Sequence, residues 1–148
     1  MKRFYLLVVA VLGFAATASA QTFDVGTQNI TATLGFGSGN TIPLAISYEQ
    51  GIYDFGGDHK LGLGGYIGFV NSMIYPAVEC NYHFVGVNKL DLYGGVRLGY
   101  GLSTETNYGD FFNSFDIGAN YYLNSSWAIN AEVGSGLGNL NLGVTHRF

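Results

Sequence analysis

The feature that most constrains this chain is where its charges fall on a period-two pattern. From about Gln28 onward, apolar side chains alternate with polar ones or glycine, the spacing of half-buried β-strand. Ile30, Ala32, Leu34 and Phe36 share one face, and Asn29, Thr31, Thr33 and Gly35 the other. Leu90, Leu92, Val96, Leu98 and Tyr100 likewise oppose Asp91, Tyr93, Gly95, Arg97 and Gly99. Trp127, Ile129, Ala131 and Val133 oppose Ala128, Asn130, Glu132 and Gly134. Glu49, Glu79, Asp91, Arg97, Asp116, Glu132 and Arg147 all lie on the glycine-rich face, and every other charge after residue 20 lies at a strand end or in a connection. The chain must therefore separate a continuous greasy surface from an ionised one.

The pattern predicts eight strands, near 26–37, 41–53, 60–71, 73–85, 89–102, 110–123, 126–138 and 139–148. The connections "SGN", "DFGGDH", a tight turn near Ser72, "GVN", "STETNYGD", "NSS" and "GLGN" are all short. Short connections make neighbours antiparallel, because a parallel crossover needs about a dozen residues or more. An up-and-down meander closed from first strand to last follows. A soluble lipocalin-like barrel would bury the apolar face around a ligand, leaving a glycine-rich exterior with few charges. A membrane barrel turns the apolar face to lipid and the charges to the lumen, with strands of about 9 to 11 residues. The fold class expected is thus all-β, an eight-stranded antiparallel up-and-down transmembrane β-barrel.

The start of the chain agrees with export. "MKRFYLLVVAVLGFAATASA" has a basic start, an apolar run from Phe4 to Ala16 and small residues at Ala18, Ser19 and Ala20, the pattern of a cleaved signal peptide. Residues 1–20 are read as signal peptide and 21–148 as the barrel domain, with cleavage before Gln21. Position 21 is not Cys, so no lipid anchor is expected there. Removing Lys2 and Arg3 leaves four basic residues against ten acidic, a net charge of −6. Nucleic acid is not an expected partner. A single cysteine, Cys80, leaves no internal disulfide to form.

Aromatic residues sort to the two ends of the apolar face. With both termini on the periplasmic side, Tyr48, Tyr82, Phe84, Tyr121, Trp127 and Phe148 lie near that side and Phe36, Phe69, Tyr100 and Phe111 near the other. Two girdles around an aliphatic band suit rings at both membrane interfaces. The final strand, "NLNLGVTHRF", alternates through Leu142, Val144 and His146 to Phe148. It resembles the C-terminal signal by which outer-membrane barrels are recognised by their assembly machinery. With "YEQGIYDFGGDHKLGLGGYIGFV", "KLDLYGGVRLGYGL" and "GANYYLNSSWAINAEVGSGLGNLNLGVTHRF", the chain resembles the small outer-membrane β-barrel domain family of Gram-negative bacteria, of OmpA and OmpX type. The resemblance implies residence in the cell outer membrane, with outer-membrane lipid, the barrel-assembly machinery and periplasmic chaperones as partners. It departs from the family in its short outer connections, and no peptidoglycan-binding domain follows Phe148.

Hairpin arithmetic places charges together inside. Symmetric folding about "STETNYGD" sets Arg97 opposite Asp116. Folding about "GVN" sets His83 opposite Asp91 and Glu79 diagonal to Arg97. An ion network of Arg97, Asp116 and Glu79 is expected, with His83 and Asp91 beside it. Its plain role is to fill and rigidify the interior, since charges in low dielectric must be paired; the alternatives are gating or catalysis.

Other chemistry finds little footing. Ser135 and His146 share the outward face, but tight pairing across "GLGN" leaves them about 13 Å apart along the strand, too far to share a proton. His83 with Asp91 lacks a serine on the lumen face. His59 beside Asp58 reads as a solvated turn, and lipid-facing Cys80 as an apolar filler. Scattered histidines offer no metal-ligand spacing, and no cofactor is expected. The "NIT" and "NSS" sequons carry no weight in an outer-membrane chain of this kind. The function expected is that of a non-enzymatic integral outer-membrane protein, for envelope integrity or surface interaction. A narrow pore is the alternative, since the lumen face carries Gly62, Gly64, Gly68, Gly95, Gly99, Gly118, Gly134 and Gly143, although Tyr66, Tyr75, Tyr93, Phe112 and Tyr122 also point inward. A soluble ligand carrier and a lipid A-modifying enzyme stand behind these.

Overall fold

The computed structural model describes residues 23–37 and 39–148. The signal-peptide reading lies outside the described residues. Eight antiparallel strands run in chain order: β1 (Gln28–Phe36), β2 (Leu44–Gly56), β3 (His59–Val70), β4 (Met73–Val87), β5 (Leu90–Ser103), β6 (Gly109–Tyr122), β7 (Trp127–Gly134) and β8 (Leu140–Arg147). Each pairs with its neighbours, and β1 pairs with β8 from Asn29↔Arg147 to Phe36↔Leu140, closing the barrel.

Local chemistry moves several boundaries from the expected ones. β2 begins at Leu44 rather than near 41, because Pro43 has no amide hydrogen to extend the ladder. The Pro43 carbonyl instead accepts from Gly35 N at 2.8 Å. At its far end β2 runs on to Gly56 through two irregularities, after Gly51 and after Asp54. β7 stops at Gly134 rather than near 138. Beyond it Leu137 leaves the alternation and packs over a cluster of Ala45, Tyr66 and Phe112 at one mouth of the barrel.

Sidedness follows the pattern of the strands. Glu49, Glu79, Asp91, Arg97, Asp116 and Glu132 are buried. Ile46, Ile67, Val78, Leu98, Ile117, Ile129, Leu142 and Val144 are exposed on the outer wall. Among the described residues no helix is long and apolar enough to cross a membrane, which says nothing of a chain that crosses with strands.

Candidate functional site in the barrel lumen

Alternation aims the polar face of every strand at the barrel axis, so the lumen is the only place where charges from non-adjacent strands can meet. Arg97 on β5 stands at its centre. Its Nε donates to Glu79 Oε2 at 2.5 Å, Nη1 to Asp116 Oδ2 at 2.8 Å and Nη2 to Glu132 Oε1 at 2.9 Å. Those carboxylates come from β4, β6 and β7, and the guanidinium also lies 4.7 Å from the centre of the Tyr66 ring. Such forked, charge-assisted contacts hold all three acids in fixed positions.

The pairs expected from hairpin arithmetic meet, but in a different register. Arg97 lies opposite Ser114, not Asp116, and reaches Asp116 diagonally. The cause is the β5–β6 turn, where Ser103 Oγ accepts from Glu105 N and Thr106 N and Ser103 N donates to Tyr108 O. That turn closes two positions tighter than symmetric folding about "STETNYGD". Glu79 lies directly opposite Arg97, and His83 opposite Tyr93. Here a two-residue turn with Asn88 at φ 56° sets one register, and an irregularity between His83 and Val85 shifts it by one. His83 still reaches Asp91 diagonally, with Nδ1 2.8 Å from Oδ1.

Toward the mouth where β1 begins and β8 ends, a second cluster forms around that histidine. His83 Nε2 lies 3.0 Å from Glu49 Oε1, so the imidazole bridges carboxylates on β2 and β5. Phe23 stacks on its outer face, ring centroids 3.7 Å apart and planes 6° from parallel. The segment carrying Phe23 is tied to β2 by Gly26 N to Gly51 O and Gly51 N to Thr27 O, both 2.9 Å. Gly51 leaves room for this strap, since a Cβ there would run into the Asp24 carbonyl. Beside it, Asn130 Nδ2 donates to Tyr93 and to Asn120, Thr145 donates to Asn120, and the Arg147 guanidinium covers and donates to Tyr122.

At the opposite mouth, Tyr66 stacks on Phe112 at 6.0 Å and Tyr75 meets Phe112 at 5.2 Å. The lumen glycines make room for large neighbours: Leu137 and Tyr66 lie over Gly68, Tyr93 over Gly118 and the Glu49 carboxylate over Gly62. An aromatic layer, an ion network and the His83 cluster thus follow one another along the axis.

Sequence reasoning missed Glu132 as the third acid on Arg97, Glu49 as the second on His83, and Phe23 altogether. Polar alternation placed Glu132 and Glu49 on the lumen face, but nothing in hairpin pairing brings β7 to β5 or β2 to β4. Ser135 and His146 are farther apart than the tight-turn register implied. His146 pairs with Trp127 at the opposite end of the β7–β8 hairpin, and Ser135 Oγ accepts instead from Phe115 N at 3.2 Å. Residues 142–148 lie on or just after β8, where His146 packs edge-on between Trp127 and Phe148, centroids 4.5 and 4.6 Å away.

This architecture has counterparts among solved structures. A designed protein from "De novo design of transmembrane beta-barrels" is similar with a TM-score of 0.66 at 18% identity, over 88% of this chain and 100% of that one. Ail, the attachment invasion locus protein of Yersinia pestis, is similar at 18% identity with a TM-score of 0.46, over 84% of this chain and 99% of that one. No protein-family model and no curated protein sequence matches the chain. The fold is that of the eight-stranded transmembrane β-barrels, and the apolar outer wall is the surface such a barrel turns to lipid.

Proposed function

We propose that this chain is a non-enzymatic integral outer-membrane protein whose sealed barrel contributes to envelope integrity or surface interaction and does not pass solutes. One observation carries the reading: buried side chains meet across the lumen at the levels of Tyr66 with Phe112, Arg97 with Glu132, and His83 with Glu49. A narrow pore would need an open path through all of these levels. The separation of Ser135 from His146 supports the non-enzymatic part. The leader-like first 20 residues and the alternating strand ending in Phe148 support outer-membrane residence. They also support delivery by periplasmic chaperones to the barrel-assembly machinery.

Two measurements on one preparation test this. Fractionation followed by detergent gels is expected to place the protein in the outer membrane, migrating differently before and after boiling. The same protein in planar bilayers is expected to stay silent. Discrete conductance steps would replace the sealed barrel with a pore.

A further inference from the structure

The outer wall is interrupted where β4 meets β5. The two strands pair at Met73↔Ser103 and Ile74↔Leu102, then skip two positions and resume in the same register at Ala77↔Gly99. The cause is Pro76, which has no amide hydrogen yet stands in a strand with neighbours on both sides. Thr104 N donates to Ser72 O, which makes 72 and 104 a hydrogen-bonded pair. Such pairs recur at every second residue of an antiparallel ladder, so Pro76 and Tyr100 fall at another. The Tyr100 carbonyl therefore faces a ring nitrogen that cannot donate.

A shallow recess of about 420 Å³ opens at this place, lined by Pro76, Ala77, Val78, Leu98, Gly99 and Tyr100. Pro76, Val78, Leu98 and Tyr100 are exposed on the outer wall. Gly65 pairs with Val78, and a Cβ there would meet nothing within 4 Å, so β3 raises no wall beside the recess at that level. The Tyr100 ring leans over Gly109 on β6, away from Pro76. A backbone acceptor thus stands without its ladder donor in an apolar depression of the surface that such a barrel turns to lipid, where an unsatisfied carbonyl is costly.

Water is a poor partner for it. A bound water needs about two to four polar contacts, and the side chains of Pro76, Val78 and Leu98 offer none. A hydroxyl carried on a hydrocarbon chain donates one hydrogen bond and lays its carbons on the apolar lining. We propose that the Pro76 recess binds one lipid acyl chain bearing a hydroxyl group, which donates to the Tyr100 carbonyl. Tyr100 lies three residues before the end of β5 at Ser103, whereas Leu98 and Val78 lie deeper along their strands. The hydroxyl therefore belongs near the polar end of the chain, with the following carbons over Val78 and Leu98. Lipid is the occupant because the recess is continuous with the lipid-facing wall. The inference rests on that wall and not on whether the lumen is sealed.

The test titrates the folded chain in detergent micelles with methyl 3-hydroxytetradecanoate or with methyl tetradecanoate. NMR follows the Tyr100 carbonyl carbon and the Val78 methyl groups. The hydroxy ester is expected to shift both saturably and to bind about tenfold more tightly than the plain ester, the preference one hydrogen bond supplies. Pro76→Ala returns the missing donor and is expected to bind the two esters equally. Equal affinities in the unaltered chain would leave only an apolar hollow and overturn the proposal, as would a preference that survives Pro76→Ala. Shifts that grow with protein concentration in the absence of ester would assign the recess to a second copy of the chain and reject the lipid. Should Pro76→Ala not fold, the comparison of the two esters on the unaltered chain decides. Fractionation and conductance, which test the function proposed above, are independent of every one of these outcomes.

Discussion

The ring of Phe23 lies flat on the imidazole of His83, centroids 3.7 Å apart and planes 6° from parallel, at the end of the barrel where β1 begins and β8 ends. Phe23 is 2% exposed although it lies outside every strand. Truncating a buried phenylalanine costs about 3 to 5 kcal/mol in a packed core. Phe23→Ala is expected to fall at or below the lower end of that range, since the strap stays tied at Gly51. Phe23→Leu is expected to recover most of the loss. Urea unfolding in detergent, followed by tryptophan fluorescence, measures both.

Among the described residues, Arg97 is the only cation paired with Glu79, Asp116 and Glu132. Arg97→Met therefore strands buried acids and is expected to cost about 3 to 5 kcal/mol. Adding Glu79→Gln and Glu132→Gln is expected to restore part of it, because the repulsion goes with the charges. A thermal midpoint unchanged by Arg97→Met would show that the network contributes nothing.

Gly64 and Gly65 are chain neighbours facing opposite ways. A Cβ on Gly64 would run into the Tyr48 carbonyl and Glu49 Cα of β2, whereas one on Gly65 meets nothing within 4 Å. Gly64→Ala is expected to destabilise by about 1 to 3 kcal/mol through overpacking, and Gly65→Ala to be neutral. Parallel melts of the two variants check the contrast, and equal losses would contradict the assigned faces.

Ile117 is 62% exposed midway along β6 on the outer wall. An arginine at the middle of a lipid-facing strand costs about 2 to 4 kcal/mol, falling to about 0 to 1 near the interfaces. Ile117→Arg is expected to lower refolding into vesicles accordingly, and Tyr121→Arg, next to the end of β6, to do so far less. Similar behaviour of the two would argue against lipid at this surface.

Alternation along each strand is a local property, and it was enough to divide inward from outward residues. Each expected register was off by an even number of positions at Arg97 and at Ser135, so no side chain changed face. That is why Arg97, Glu79 and Asp116 could be placed together although the exact pairs differed. The turns were harder to read. Ser103 capping its turn and the irregularity after His83 depend on hydrogen bonds that composition does not reveal. Contacts through the lumen were beyond pairwise folding altogether. Glu132 reaches Arg97 past β6, Glu49 reaches His83 past β3, and Phe23 enters from outside the strands. Only when the sheet curls shut do these residues approach, because closure turns separation around a flat sheet into a short path across a cylinder. The order of residues chose which groups would share the interior; the curvature of the closed barrel chose which of them would touch.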